Sequence, residues 1–310
     1  IPKGSTGTRS YEFAKRWVKA GHKVTVITGH YDIGGLQYSK KPINIEGMTI
    51  IITGGLYSNN QSFFRRGLSF LSFIIFGFVA GLRVKKPDII FATSTPLTVG
   101  IPAILLKWLK HKPFVFEVRD QWPEIPIAMG ILKNRVLISF LLWLEKYIYQ
   151  QSSAIVALSP GMAEGIKSVI TTKKEIVTIP NSSDIELFKP DIDGSKIRKN
   201  HRWEDKTVFL HAGAMGKAND LDFLITVAKR LENYTPIHFV IIGNGSEKNK
   251  LITSVKKTKL ENIEILDPIS KKELPLYFAA CNISLVVFAN YPILEHNSAN
   301  KFFDSLSAGK

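Results

Sequence analysis

The chain alternates short apolar runs with helical patterns along almost its whole length, and this alternation most restricts how it can fold. The runs of the first half cover residues 23–28, 88–92, 114–118, 154–158 and 176–179. A second series follows Pro190, at residues 208–211, 238–242, 263–266 and 283–287. Short continuous apolar runs separated by helices are typical of a parallel sheet covered on both faces. We therefore predict two doubly wound α/β domains in tandem, with the binding site in the cleft between them.

The segments between the runs support this organisation. Residues 11–20 place Phe13, Trp17 and Val18 on one face of a predicted helix that Gly21 closes. Residues 191–205 are polar and rich in Lys, Arg and Asp, as expected of a linker or surface connection. We assign residues 1–183 to the first domain and residues 184–310 to the second.

Composition and charge narrow the class of protein. With 310 residues, 45% of them hydrophobic and 22% charged, the chain can bury a substantial globular core. The net charge of +15 suits nucleic acid, an anionic membrane surface or phosphorylated substrates. Because lysine and arginine are spread along the chain without a nucleic-acid-binding signature, we predict no nucleic-acid partner. The single cysteine, Cys281, excludes an internal disulfide and fits a reducing compartment.

One segment departs from the ordinary pattern. Residues 67–82 carry no charge and are rich in Phe and Ile, with Arg65, Arg66 and Arg83 beside them. The segment is shorter than the roughly twenty apolar residues that span a bilayer. It fits a buried helix of the first domain or a helix whose outer face contacts lipid, and a true membrane span is the remaining alternative.

The two ends of the sequence suggest an internal piece of a longer protein. The chain opens on Ile1 and stops at Lys310, inside or just after a predicted helix. We expect the first strand of the first domain and the last part of the second domain to be missing. An isolated chain of this kind is expected to be unstable or inactive.

The most informative motif lies at residues 295–310, where a predicted strand leads into a helix that starts near Ser298. A helix N-terminus presents unpaired N–H groups and partial positive charge, which suit a diphosphate. Lys301 and the Ser298 hydroxyl can add contacts, and the Asp304 carboxylate can accept two ribose hydroxyls. Taken alone, a Ser or Asn at a helix start is more often only a cap.

The whole motif resembles the donor-binding motif of the family-4 retaining glycosyltransferases, which have the GT-B fold. In that family two acidic residues are separated by seven others, and Asp304 falls on the second position, which holds the nucleotide ribose. The first position falls on His296, with Glu295 beside it, so either residue is a candidate to contact the transferred sugar. The subgroup of polysaccharide and O-antigen transferases has the closer pattern Asn-Ser-x-Asn-Lys, matched by Asn297, Ser298, Asn300 and Lys301.

Two glycine turns of the second domain extend the resemblance. Gly213, Gly216 and Lys217 follow a strand run and face the donor phosphates in the family, and Gly243 and Gly245 end the next run near the base. The family's usual Arg and Lys are replaced by Ala214 and Asn219. A departing pyrophosphate still needs neutralising charge, so Lys301, with or without Lys217, is the predicted substitute. Lys217 is equally compatible with a solvated surface lysine.

The first domain contributes a Gly-rich loop and an acidic motif. Gly4 and Gly7 match the loop that approaches the donor phosphate, and no Gly-Lys-Ser/Thr ending makes it an ATP-hydrolysing P-loop. Asp120 follows a strand run, where the resemblance places it near the sugar or acceptor hydroxyl, with Arg119 and Glu124 nearby. A structural role for these three residues is the alternative. The Pro180-Asn181 turn matches the junction that closes the family's first domain.

The resemblance implies two Rossmann-like domains that face a cleft, and a retaining enzyme with neither a cofactor nor a bound metal. The implied donor is a UDP-sugar and the acceptor a polyprenyl-diphosphate-linked saccharide, for a bacterial or archaeal cell-surface polysaccharide. The protein would then sit peripherally on the cytoplasmic face of the membrane, held by its anionic surface. Two alternatives remain open: a UDP-sugar 2-epimerase of the same fold, and a non-catalytic membrane-associated scaffold.

Overall fold

The computed structural model describes residues 9–30, 41–56, 63–234 and 236–310. Their contacts divide the chain into two compact units. Unit 1 holds the described residues up to Pro180 together with Tyr291–Ser298, and unit 2 holds Asn181–Asn290 and Ala299–Lys310. The assignment of domains to residues 1–183 and 184–310 stays a prediction.

Unit 1 alternates helices with strands. Its elements are α1 (Arg9–Lys19), β1 (Thr25–His30), β2 (Ile43–Ile45), β3 (Met48–Leu56), α2 (Phe63–Arg83), β4 (Ile90–Thr93), α3 (Gly100–Lys110), β5 (Phe114–Val118), α4 (Glu124–Ala128), α5 (Arg135–Gln151), β6 (Ala154–Ala157), α6 (Pro160–Val169) and β7 (Glu175–Thr178). Strands β4, β5, β6 and β7 form a parallel sheet in that order. A second sheet has the order β1-β3-β2, with β1 parallel to β3 and β2 antiparallel to it.

The core of unit 1 lies between the parallel sheet and its helices. Phe114 and Phe116 of β5 are fully buried and pack with Ile148 and Tyr149 of α5. Continuous burial along β5 is what a parallel strand covered on both faces requires. Ser159 caps α6 by accepting a hydrogen bond from the backbone N–H of Met162 at 3.1 Å.

Helix α3 packs against both α2 and α5, and glycines allow the close approach. A Cβ at Gly81 of α2 would lie 2.3 Å from Leu106 Cδ1, and one at Gly100 of α3 would lie 2.6 Å from Ile148 Cδ1. None of the helices in the described part of the chain combines the length and apolar character that a bilayer-crossing helix needs. The outer side of α2 is nonetheless exposed, with Ile75 at 52% of its accessible surface, so the interpretation of this segment as a wholly buried helix is wrong.

Unit 2 has one parallel sheet with the strand order β10-β9-β8-β11. Its elements are α7 (Ser195–His201), β8 (Thr207–Ala214), α8 (Asp222–Arg230), β9 (Ile237–Asn244), α9 (Lys248–Thr258), β10 (Ile263–Leu266), α10 (Leu274–Ala280), β11 (Ile283–Ser284) and α11 (Asn300–Ser307). Buried residues of β8 and β9 contribute to the apolar cores on both faces of the sheet. The predicted α/β fold class with parallel sheets is therefore confirmed.

Three local predictions differ from the structure. Strand β3 was missed, although its β-branched residues 49–53 are typical of a strand. Residues 191–205 are more than a linker, because they contain α7 and Trp203, whose side chain is buried in unit 2. The run 283–287 forms only the two-residue strand β11, since it lies at the sheet edge and pairs on one side with β8.

A buried ion pair fastens the first helix of unit 1 to its sheet. Arg9 of α1 donates from Nε to Glu117 Oε1 of β5 at 2.8 Å, and both side chains are almost inaccessible to water. Thr93 of β4 donates to the second Glu117 oxygen at 2.6 Å. The remaining Arg9 nitrogens donate to the carbonyls of Ile179 and Pro180. One guanidinium thus joins the start of unit 1 to the end of its last strand.

Arg9→Ala is expected to destabilise unit 1 by about 3–5 kcal/mol, because it leaves the Glu117 charge buried without a counter-charge. Chemical unfolding followed by circular dichroism measures the change. The matched control is Arg16→Ala, which removes an exposed i,i+4 pair with Glu12 from the same helix and should cost about 0.5 kcal/mol or less. Equal effects of the two substitutions would contradict the structural role given to Arg9.

Candidate functional site

The carboxyl ends of β8 and β9 meet in unit 2 at a pair of glycine turns. Gly213 and Gly243 are paired in the register of the two strands. A Cβ at Gly243 would lie 1.9 Å from the Gly213 carbonyl oxygen, and one at Gly245 would lie 2.3 Å from the Met215 carbonyl oxygen. Neither position has room for a side chain. The two turns therefore present backbone at the sheet edge where ligands bind in α/β folds.

Lys301 of α11 lies directly against this turn. A Cβ at Gly213 would be 3.0 Å from Lys301 Cε and 3.1 Å from Nζ. The ammonium donates to His211 Nε2 at 3.3 Å and lies 5.9 Å from the centroid of the Phe288 ring. Within the described parts of the chain Lys301 has no carboxylate in salt-bridge contact. Burial without a counter-charge lowers the pKa of Lys301 to about 8.

His211 of β8 has no exposed surface. Burial, and then the neighbouring Lys301 ammonium, lower the pKa of His211 to about 3. The imidazole is therefore neutral at physiological pH. A lysine ammonium can only donate, so the lone pair of His211 Nε2 accepts and the ring proton resides on Nδ1.

Asp304 lies three residues beyond Lys301 on α11 and accepts a hydrogen bond at 2.8 Å from the Ser183 hydroxyl. Burial raises the pKa of Asp304 to about 6, while the Ser183 hydrogen bond and the Lys271 charge oppose that rise. The carboxylate is therefore largely ionised at neutral pH, with one oxygen engaged by Ser183.

Helix α11 begins at Asn300, after the predicted start near Ser298. Ser298 is buried and precedes the helix, so its predicted place in the first turn is wrong. The N-cap residue is Ala299, which makes no side-chain cap bond to the first amides. Lys301 does lie in the first turn, as predicted.

The other predicted residues of the β8 turn differ in their surroundings. Lys217 is exposed in a short 3₁₀-helix, and the space beside Gly216 is open. Asn219, at the position of the family's lysine, is buried and donates to the Val287 carbonyl at 3.1 Å. Of the two lysines proposed as substitute cations, Lys301 is therefore the one that contacts the glycine turn.

In unit 1, Asp120 follows β5 and accepts a hydrogen bond from the Thr95 hydroxyl at 2.7 Å. Thr95 follows β4, which is paired with β5, so both residues lie at one sheet edge. The Arg119 backbone N–H donates to the Ser94 hydroxyl at 2.9 Å, and Arg119 Nε is buried without a hydrogen-bond partner. The edge therefore combines a partly exposed carboxylate with an arginine whose Nε atom is buried.

Glu295 and His296 are exposed in a 3₁₀-helix, Pro292–His296, that belongs to unit 1. The His296 ring packs at the N-terminus of α6, so close to Gly161 that a Cβ there would lie 2.1 Å from His296 Nδ1 and would displace the ring. Ser159 Oγ donates to the His296 carbonyl at 2.6 Å.

Asn297 follows this 3₁₀-helix, and its backbone N–H donates to the Leu294 carbonyl at 3.1 Å. Gly4 and Gly7 lie outside the described residues. Their roles, like the other site assignments, stay predictions.

Three residues beside the predicted site were not found from the sequence. His211 contacts Lys301, Ser183 contacts Asp304, and Thr95 contacts Asp120. His211 had one usable signal, since a histidine inside an apolar strand run next to a glycine turn is unusual in a core. Ser183 and Thr95 lie in loops whose hydroxyls carry no periodic pattern.

Comparison with known protein families shows which family this chain belongs to. The family described as "Glycosyl transferase 4-like domain" matches residues 4–182. The family "Glycosyl transferases group 1" matches residues 193–296. Because the first match alone covers more than half of the chain, this protein belongs to the glycosyl transferase 4-like family.

Two curated relatives agree with that membership. The chain is 24% identical over 237 residues to WbjE of Pseudomonas aeruginosa, a glycosyltransferase by name, covering 74% of this chain and 58% of the relative. It is 24% identical over 286 residues to WcaI of Escherichia coli K12, named for colanic acid biosynthesis, covering 87% and 70%. The chain thus spans little more than half the length of WbjE.

Solved structures show the same fold. WaaG, a glycosyltransferase involved in lipopolysaccharide biosynthesis, superposes with a TM-score of 0.65 at 12% identity, over 100% of this chain and 77% of that one. HepE of Anabaena, solved in complex with UDP and glucose, gives 0.60 at 15% identity, over 86% and 66%. The predicted GT-B fold class is therefore confirmed.

The glycine turns generate a stability prediction. Gly243→Ala should destabilise unit 2 by about 3 kcal/mol, because the new Cβ collides with the Gly213 carbonyl oxygen and backbone must move. Gly216→Ala is the matched control, since nothing lies within 4 Å of its Cβ position. Denaturant unfolding of both variants measures the difference. A Gly243→Ala protein as stable as the control would show that the two turns are not in contact.

Proposed function

We propose that this protein is a retaining glycosyltransferase which moves a sugar from a UDP-sugar to a lipid-linked saccharide in cell-surface polysaccharide biosynthesis. The observation that carries the proposal is the half-buried ammonium of Lys301, which lies against a glycine turn and has no carboxylate in salt-bridge contact among the described residues. A buried cation without a counter-ion is costly, so an anionic ligand is the expected partner.

The diphosphate of the donor supplies that anion. Backbone at Gly213 and the uncapped first amides of α11 offer further donors for phosphate oxygens. As the glycosidic bond breaks, negative charge develops on the leaving diphosphate, and Lys301 stabilises it more strongly than it stabilises the ground state. Lys301 thus takes the place of the family's Arg and Lys, which are Ala214 and Asn219 here.

Asp304 supplies the contact to the ribose. One of its oxygens accepts from Ser183, which fixes the carboxylate, and the other is directed to the two ribose hydroxyls. Burial raises the pKa of Asp304 to about 6, so its carboxylate is still largely ionised at neutral pH. The HepE complexes with UDP and with UDP-glucose support UDP as the nucleotide by similarity of fold.

The acceptor side of the reaction is assigned to Asp120. Thr95 holds one of its oxygens, which leaves the other to orient an acceptor hydroxyl. In the retaining mechanism of the family, the acceptor attacks the face that the diphosphate leaves, and a diphosphate oxygen helps to remove the proton. The roles of Glu295 and His296 at the sugar, and transfer without a metal ion, remain parts of the proposal.

Product analysis distinguishes transfer from the two alternatives. The protein is incubated with labelled UDP-sugars and a polyprenyl-diphosphate-linked sugar, and lipid and aqueous products are separated. Label in the lipid supports transfer, whereas a new free UDP-sugar supports a 2-epimerase. Turnover of neither kind supports a scaffold.

The ionisation of Lys301 and Asp304 predicts a pH window for donor binding. UDP-glucose is the probe, because the charge of its diphosphate diester is constant over this range. Its affinity should fall as pH rises through about 8, where Lys301 loses its proton. It should also fall as pH drops through about 6, where Asp304 becomes neutral. Isothermal titration calorimetry across the range measures both losses of affinity, which we call the alkaline limb and the acidic limb of the pH profile.

Substitution of each residue shows which one causes which limb of the pH profile. Lys301→Met should weaken binding at pH 7 roughly tenfold or more and abolish the alkaline limb, and Asp304→Asn should abolish the acidic limb. Lys257→Met, which removes an exposed lysine of α9, is the control with the same charge change. Unchanged limbs in both site variants would refute the proposed donor site.

We further propose that unit 1 binds an anionic membrane surface through its neighbouring helices α2, α3 and α5. Exposed apolar residues recur on α2 at helical spacing: Leu68, Leu71, Ile75, Val79 and Leu82. Helix α5 exposes Val136, Phe140 and Trp143 around a shallow depression of about 560 Å³, and α3 exposes Trp108 and Leu109. Residues 63–115 contain eight Lys or Arg but only one acidic residue, Asp88, so the apolar surface is flanked by positive charge.

Two exposed phenylalanines test this surface. Phe76→Ser on α2 should reduce binding to vesicles containing phosphatidylglycerol by about tenfold, the effect of losing one inserted aromatic side chain. Phe223→Ser on α8 of unit 2 removes an equally exposed ring, at 57% against 54%, and should leave binding unchanged. Vesicle co-sedimentation measures both. Equal losses, or no loss for Phe76→Ser, would refute the assignment.

A further inference from the structure

His211 and Lys301 form a pair in unit 2 that neither the sequence motif nor the family match assigns. The imidazole is wholly buried on β8, one residue before Ala212 and two before Gly213. Its Nε2 lies 3.3 Å from Lys301 Nζ. No other side chain in the described ranges makes a hydrogen bond to this ammonium.

Among the described residues, no carboxylate makes a salt bridge to Lys301. From its own helix, Asp304 lies one turn further on and is bonded to Ser183. From the segment before α11, the Phe288 ring contributes only its aromatic face at 5.9 Å. From β8, His211 is the one titratable group that faces it. In the described part of the chain, the ammonium therefore has a neutral acceptor on one side and no carboxylate paired with it.

We propose that His211 is a positioning residue, which holds the Lys301 ammonium beside the Gly213 turn without neutralising it. The inference rests on the proposed function and identifies what directs the cation at the donor diphosphate. A carboxylate in place of His211 would also hold the lysine, but it would cancel the charge that attracts phosphate. A neutral imidazole accepts one of the three ammonium N–H bonds and leaves two for phosphate oxygens.

The electrostatics of the pair agree with this role. Since an ammonium next to an imidazolium is unfavourable, the low pKa of His211 keeps the imidazole neutral from about pH 3 upward, while Lys301 is charged up to about pH 8. The hydrogen bond to His211 in turn favours the protonated form of Lys301 against the cost of burial. Loss of the acceptor should therefore lower the pKa of Lys301 further.

The first test measures this titration without any ligand. The protein is prepared with ¹³C-labelled lysine, and the Lys301 signal is identified by its absence from Lys301→Met. Its titration midpoint is expected near 8 in the native protein. His211→Leu should lower the midpoint by about one unit, His211→Gln should keep it by supplying an acceptor, and His211→Glu should raise it. Circular dichroism confirms that each variant is folded.

The second test measures UDP-glucose affinity for the same variants. His211→Leu should bind about fivefold more weakly than the native protein near pH 8 and almost normally near pH 6.5, where Lys301 is largely charged in both. His211→Gln should restore binding, and His211→Glu should weaken it at every pH by cancelling the charge. A merely structural histidine would instead give a loss independent of pH, which would overturn the inference.

The two tests separate the possible failures. If His211→Leu leaves the Lys301 titration where it was, the positioning role is wrong even if UDP-glucose binds. If the native protein binds no UDP-sugar although the titration shifts as expected, the proposed function is overturned, and this role for His211 with it.

Discussion

The charge of Lys301 is the constraint on which the site in unit 2 depends. Its ammonium is half-buried against a turn where glycine is required, and the neighbouring imidazole accepts a hydrogen bond from it without opposing its charge. Partial removal of this cation from water raises the free energy of the folded protein. Binding of an anionic diphosphate at this edge of the sheet would offset that cost.

The sheet explains why this cation lies where it does. Strands β8 and β9 approach so closely at their carboxyl ends that backbone replaces side chains at Gly213 and Gly243. The space left above the turn admits the Lys301 side chain from α11. A similar arrangement occurs in unit 1, where β4 and β5 end together and bring Thr95 to Asp120. Both units therefore place polar groups at the carboxyl edge of a parallel sheet, the usual position of ligands in this class of fold.

Much of the architecture was predictable because it depends on short-range patterns. Apolar runs located the parallel strands, and β10 was found with the predicted bounds, residues 263–266. Strand β3 and helix α7 were missed, since a strand next to a polar hairpin and a short polar helix give little periodic signal. Trp203 was taken as part of a linker because its burial depends on residues distant in sequence, among them Glu264, which accepts from its indole N–H at 2.7 Å.

The candidate site was predictable in its motif residues and not in their partners. Lys301 and Asp304 belong to a contiguous string that can be read directly from the sequence. Their neighbours His211 and Ser183 lie 90 and 121 positions earlier, and only the folded chain brings them together. The start of α11 was misplaced because Ser298 is a good cap by type, whereas the observed cap position holds Ala299.

The buried guanidinium of Arg9 has a consequence for the order of events during synthesis. Its partners are spread from Glu117 to Pro180, so the first helix acquires its full set of contacts only when the last strand of unit 1 has emerged from the ribosome. Until then the arginine keeps its water, while α1 already packs on the β1-β3-β2 sheet through Ala14 and Val18. The attachment of α1 to the parallel sheet through Arg9 is therefore expected to be completed late, after translation of the junction near Pro180.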